Sequence, residues 1–189
     1  MSDFNSLTAS ELGDMIGRGK VDPVELTEHF LSQIKASPIA EKIYSTITPE
    51  LAKEQAVDAK RRAKLGRRLS SLDGVPISWK DLYDIKGYPC EAGSGLLAGR
   101  IASRNAEVYS FAEAHGLICL GKTHMSELAF SGLGLNPMTA TPPCVSYPEC
   151  VPGGSSSGAA TSVSFGLAAA GIGSDTGGSV RIPAAWNNL

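Results

Sequence analysis

Through the first third of the chain, apolar residues recur every three to four positions. Leu7, Leu12, Met15 and Ile16 do so in "SLTASELGDMIGRGK", where Thr8 or Ser10 is placed to cap a helix. A second helix is predicted in "VDPVELTEHFLSQIKAS". Asp22 sits at its N-cap, Pro23 at the first helical position, and Val24, Leu26, Phe30, Leu31 and Ile34 form a broad apolar face. A short extended piece, "KIYSTIT", leads to a third helix in "TPELAKEQAVDAKRRAKLG", opened by Thr48 and Pro49 and closed by Gly66. Residues 1–68 therefore read as a helical N-terminal region.

From Leu72 the pattern changes. "LDGVPISWKDLYDI" is rich in β-branched and aromatic residues and predicts a strand over 75–80. A helix is expected over 106–115 and a short buried strand over 117–123. Five prolines make 131–154 loop-like. A small-residue helix over 156–167 follows, then a strand running into a turn in "LAAAGIGSD", then the start of a helix over 179–186. Strands alternating with helices argue an α/β fold, a sheet with helices on its faces. The region 72–189 reads as its core segment, with the N-terminal helices packed outside. No internal repeat is present.

Composition narrows the class. The chain has 189 residues, is 42% hydrophobic and 19% charged, and carries a formal net charge of −2, as expected of a soluble globular chain long enough to bury a core. The charge balance offers no global argument for nucleic acid or an acidic membrane as partner. No apolar run reaches membrane-spanning length, and the polar, acidic start lacks the features of a signal peptide, so the expected location is the cytoplasm. Cys90, Cys119, Cys144 and Cys150 show no CxxC pairing and read as free thiols.

The densest chemistry lies in "VPGGSSSGAA" (151–160) and "GIGSDTGGSVRIPAA" (171–185), where serines are set among glycines. "GSSSG" matches G-x-S-x-G with Ser156 central, but that arrangement needs a preceding strand and a later histidine, and His29, His115 and His124 all lie upstream. Phosphate cradling would need the G-K-[ST] ending that neither run has. A lysine can replace histidine as the serine's base if burial lowers its pKa. Lys80 closes an apolar strand beside Trp79; the alternative for it is an ion pair with Asp81 or Asp84.

Taken together, "GVPISWKD" (74–81), "PGGSSSGAA" (152–160) and "GSDTGGSVRIPAA" (173–185) resemble the amidase signature family, as does "GKTHMSELAFSGLGLNP" (121–137). The resemblance covers roughly residues 5–189. It implies a mixed β-sheet core flanked by helices, incomplete at the C-terminus, because the family's members run to several hundred residues. It also implies a Ser–cis-Ser–Lys triad with Ser179 as nucleophile, Ser155 as relay after a cis peptide bond, and Lys80 as base. The backbone N–H groups of Thr176, Gly177, Gly178 and Ser179 would form the oxyanion hole, and the backbone of Ala129 would contact substrate. Asp175 and Arg181 would be an ion-paired frame. The implied function is hydrolysis of a small-molecule amide through an acyl-enzyme, without cofactor, metal, nucleic acid or membrane; a homo-oligomer is left open. The alternatives are the glutaminase component of a tRNA-dependent amidotransferase and a non-catalytic fragment. "SELAFSGLGLNP" and "RIPAA" lean towards stand-alone amidases. Residues 1–189 alone are expected to be poorly stable and weakly active or inactive.

Two further features have simpler readings. The basic run "KRRAKLGRR" (60–68) is expected to be a solvated helix end and not a nucleic-acid patch. His115, Cys119 and His124 lack a zinc-ligand spacing and are read as a core cysteine and two surface histidines.

Overall fold

The computed structural model describes residues 4–189; Met1, Ser2 and Asp3, the start of the predicted helical region, lie outside the described residues. Helix α1 (Ala9–Gly17) opens on Thr8, whose hydroxyl accepts from the Glu11 N–H while the Glu11 carboxylate accepts from the Thr8 N–H. Helix α2 (Pro23–Ala36) is capped by Asp22, which accepts from the Val24 N–H at 2.8 Å. A short helix α3 (Ala40–Ile43), not expected from the sequence pattern, turns directly into strand β1 (Tyr44–Ile47). Helix α4 (Pro49–Lys64) follows, with alanines 52, 56 and 59 buried at helical spacing.

Strand β2 (Pro76–Lys80) is buried along its whole length. Helix α5 (Glu107–Ala114) carries the chain over to strand β3 (Ile118–Thr123), and helix α6 (Ser157–Ser164) carries it on to strand β4 (Ala170–Ile172), which is followed by helix α7 (Arg181–Trp186). The sheet order is β1-β3-β2-β4. β2 is parallel to β3 and β4, and β1 is antiparallel to β3, which makes the sheet mixed. The extended piece expected in the N-terminal region is thus an edge strand of the same sheet as the serine-bearing segments.

Alternation along β2 sorts its side chains. Ile77 and Trp79 join the main apolar cluster with Leu26, Phe30, Ile34 and Tyr109. Ser78 and Lys80 point the other way, towards α6: the Ser78 and Ser162 hydroxyls are 2.7 Å apart. A polar position inside an otherwise apolar strand is therefore matched by a polar stripe on the facing helix.

The basic run is less solvated than its composition implies. Lys60 pairs with Asp22 at 2.5 Å, Arg62 grips Asp73 through two nitrogens, and Arg68 donates to the carbonyls of Ser71 and Asp73. The histidine reading needs one correction. His124 is buried, its Nε2 is 3.2 Å from the Glu41 carbonyl, and desolvation lowers its pKa. It follows β3 directly and is drawn inside by the sheet. His115 is half-buried, with Nδ1 at 2.7 Å from the Phe111 carbonyl. All four cysteines are free thiols, and among the described residues no helix is long and apolar enough to cross a membrane.

Candidate active site

Lys80 is fully buried at the C-terminal end of β2. Its Nζ lies 2.6 Å from Ser155 Oγ and 2.8 Å from Ser174 Oγ. Neither neighbouring carboxylate takes it. Asp81 pairs with the buried Lys122 at 2.6 Å, and Asp84 is held by both terminal nitrogens of Arg100. The ion-pair alternative for Lys80 is thereby removed. Burial brings its pKa down from the ordinary 10.5 to about 8, against an upward pull from the Asp175 carboxylate. An amine of this kind exchanges protons with a hydroxyl near neutral pH, whereas a solvated lysine stays charged.

Ser155 is also fully buried, and the Gly154–Ser155 peptide bond is cis. The segment is gripped from the loop after β3. The Ser155 carbonyl accepts from the Ser126 N–H at 3.1 Å, and the Gly154 N–H donates to the Gly132 carbonyl at 2.8 Å. A side chain at Gly154 would come within 2.6 Å of the Gly134 backbone nitrogen, so this crossing of two chain segments requires glycine. Ala129 lies in the same loop, two residues before Ser131, with φ of 61° and its N–H donating to the Ser126 carbonyl. Ser126 thus links Ala129 and Ser155 through their backbones.

The loop between β4 and α7 is organised by Asp175. Its carboxylate accepts from the N–H groups of Gly178, Val180 and Arg181 and is clasped by the Arg181 guanidinium at 2.8 and 3.0 Å. These donors hold its pKa well below the usual carboxylate range, the Arg181 contact contributing most. The frame expected of Asp175 and Arg181 is present. One expected oxyanion donor is spent on it: the Gly178 N–H points at Asp175 from 2.8 Å. Among the described residues, the N–H groups of Thr176, Gly177 and Ser179 have no acceptor in the protein. Thr176 and Gly177 are exposed and Ser179 is half-buried.

Ser179 is tethered by its carbonyl, which accepts from the Ser156 N–H at 3.1 Å. Among the described residues its hydroxyl makes no hydrogen bond. The structure therefore joins Lys80 to Ser155 directly and brings the Ser179 segment to the same short stretch through Ser156. The second hydroxyl on Lys80, that of Ser174, was not singled out from the sequence. It lies 94 residues from Lys80 in the chain, and only the parallel pairing of β2 with β4 brings the two together. The signal available was that "GSD" continues directly from a predicted strand.

The family model described as Amidase matches residues 25–189. The chain is 36% identical over 192 residues to the A subunit of the glutamyl-tRNA(Gln) amidotransferase of Acinetobacter baumannii (strain AYE), a match that takes in 100% of this chain and 38% of that protein. The native peptide amidase of Stenotrophomonas maltophilia superposes with a TM-score of 0.89 at 28% identity, covering 98% of this chain and 39% of that one. A bacterial aryl acylamidase of the amidase signature family superposes with a TM-score of 0.87 at 26% identity over 99% of this chain and 39% of its own. The chain spans under two-fifths of the length of these relatives.

Proposed function

The chain belongs to the amidase family, and on that footing we propose that it carries the reacting centre of an amide hydrolase, with Ser179 as nucleophile, Ser155 as relay and Lys80 as base. The observation that carries this reading is the buried Lys80, bonded to Ser155 and, among the described residues, held by no carboxylate side chain. In this scheme Ser179 Oγ attacks the amide carbonyl carbon while its proton passes to Ser155, whose own proton passes to Lys80. The Ser179–Ser155 hydrogen bond forms with substrate in place; such contacts are commonly long in an empty site. The N–H groups of Thr176, Gly177 and Ser179 face the developing oxyanion, one such donor being worth on the order of 3 kcal/mol. Gly178 serves instead through Asp175, by fixing the loop. As the C–N bond breaks, Lys80 returns its proton through Ser155 to the departing ammonia or amine. Water then attacks the acyl-enzyme by the same relay, releasing the carboxylic acid and restoring Ser179. Ala129 offers its backbone to the substrate, a small-molecule amide, and the four free thiols fit a reaction in the cytoplasm.

A fluorophosphonate probe, applied to an intact-length enzyme that carries this segment, tests the assignment. It is expected to label Ser179, as read by mass spectrometry of the digested protein, and Lys80→Ala or Ser155→Ala is expected to slow labelling at least a hundredfold. Labelling elsewhere, or labelling indifferent to Lys80, would overturn it. A second reading, the glutaminase component of a tRNA-dependent amidotransferase, is favoured by the 36% identity to the Acinetobacter amidotransferase protein over the whole chain. Ammonia release that requires glutamine, together with co-purification of partner subunits, would select it over a stand-alone amidase.

A further inference from the structure

Strand β4 pairs with β2 through Ile77–Ala170, Ser78–Gly171 and Trp79–Ile172, and the ladder stops there. The next residues in step are Lys80 and Gly173, where the two strands part. After β2 the backbone turns, the Tyr83 N–H donating to the Lys80 carbonyl at 3.2 Å, while β4 runs on into Ser174 and Asp175. At Gly173 a side chain replaces the missing strand donor: the Tyr83 hydroxyl donates to the Gly173 carbonyl at 2.7 Å. The ring that carries this hydroxyl is itself fixed, edge-on to the buried Trp79 with centroids 5.7 Å apart.

We propose that Tyr83 is a positioning residue for the lysine base, its hydroxyl fixing Gly173 and thereby holding the Ser174 hydroxyl on Lys80 Nζ. The inference rests on the reading of Lys80 as base given above. A neutral amine has one lone pair. With one N–H given to Ser174 at 2.8 Å, two staggered arrangements about the last carbon–nitrogen bond remain, and in the one the relay uses the lone pair is presented to Ser155, 2.6 Å away. Ser174 cannot keep that place if the peptide before it turns. Ser156 Oγ grips Ser174 as well, accepting from its N–H and donating to its carbonyl. Loss of the Tyr83 hydroxyl therefore loosens the segment without releasing it.

The test is the rate of fluorophosphonate labelling of Ser179 in Tyr83→Phe, which keeps the ring on Trp79 and removes only the hydroxyl. Labelling is expected to slow by about tenfold, the size of one hydrogen bond. Ser174→Ala is expected to slow it too, and the double variant to be little slower than Ser174→Ala alone, because the hydroxyl acts through Ser174. Tyr109→Phe, which removes a hydroxyl that accepts from Gln55 on another ring packed against Trp79, is expected to label at the unsubstituted rate. An unchanged rate in Tyr83→Phe, or independent slowing by Tyr83→Phe and Ser174→Ala, overturns this inference and leaves the assignment of Ser179 standing. No labelling of Ser179 in an intact-length enzyme that carries this segment overturns both.

Discussion

Lys80 combines full burial with two hydroxyl neighbours, and this sets the pH behaviour expected of the site. Its pKa of about 8 lies below the ordinary 10.5, so folding favours the neutral amine. Between those values the unfolded chain binds more protons than the folded one, and stability rises with pH across that window; below pH ~8 the folded state carries a buried charge. Two outcomes follow. Labelling of Ser179 is expected to accelerate as pH rises through about 8 and then level off, and Lys80→Met is expected to abolish that rise. In urea melts, Lys80→Met is expected to be more stable than the unsubstituted protein at neutral pH, with the gap closing towards pH ~10. A flat labelling profile, or a variant destabilised equally at both pH values, would contradict the assignment of Lys80 as a buried, proton-exchanging amine. The Asp175 carboxylate moderates the shift from one side while its backbone contacts shape the loop, so one residue serves both electrostatics and geometry.

Strands β2 and β3 end side by side, and the buried pair between them governs how the site is mounted. Lys122 and Asp81 are both almost fully buried, and each also bonds the 89–91 segment: Lys122 Nζ to the Pro89 carbonyl, and the Glu91 N–H to Asp81. Removing one partner leaves a buried charge unpaired. Lys122→Met is thus expected to cost about 3–5 kcal/mol in a denaturant melt, and Lys122→Met with Asp81→Leu to recover much of it. Elements of this kind divide by how local their cause is. The caps at Thr8 and Asp22, the start of α4 at Thr48 and Pro49 and the apolar runs of β2 and β3 were legible because each is written within a few residues. Lys80 was legible as a lysine closing an apolar strand beside Trp79. The pairing of β1 with β3, the partner of Lys122, the inward turn of His124 and the bond from Lys80 to Ser174 were not, since each depends on strand register or on packing across many tens of residues. The Gly178 N–H misled for a further reason. The motif names four adjacent amides, but a carboxylate three residues before claims one of them.

At the scale of the molecule, the buried centre contrasts with what surrounds it. The loop over the cis bond, joined to it through Gly132 and Leu133, carries an apolar series that faces outward: Phe130 is 94% exposed and Met138 63%, with Leu128, Leu133 and Leu135 about half exposed. β4 forms one edge of the sheet with only three residues and no partner beyond it among the described residues. Exposed apolar loops and unpaired strand edges both favour association. In the longer relatives additional chain accompanies this segment, which takes up 38–39% of their length. The 189-residue chain on its own is accordingly expected to bind an apolar dye such as anilinonaphthalene sulfonate and to show a molar mass by light scattering that climbs with concentration. Phe130→Ser with Met138→Ser is expected to reduce both effects while leaving Lys80, Ser155 and Ser174 in place. A constant monomer mass with no dye binding would mean that the outward apolar loop folds back on the chain in solution. In that case the substrate face would be closed in the isolated chain, and slow labelling of Ser179 would reflect access and not the chemistry of Lys80.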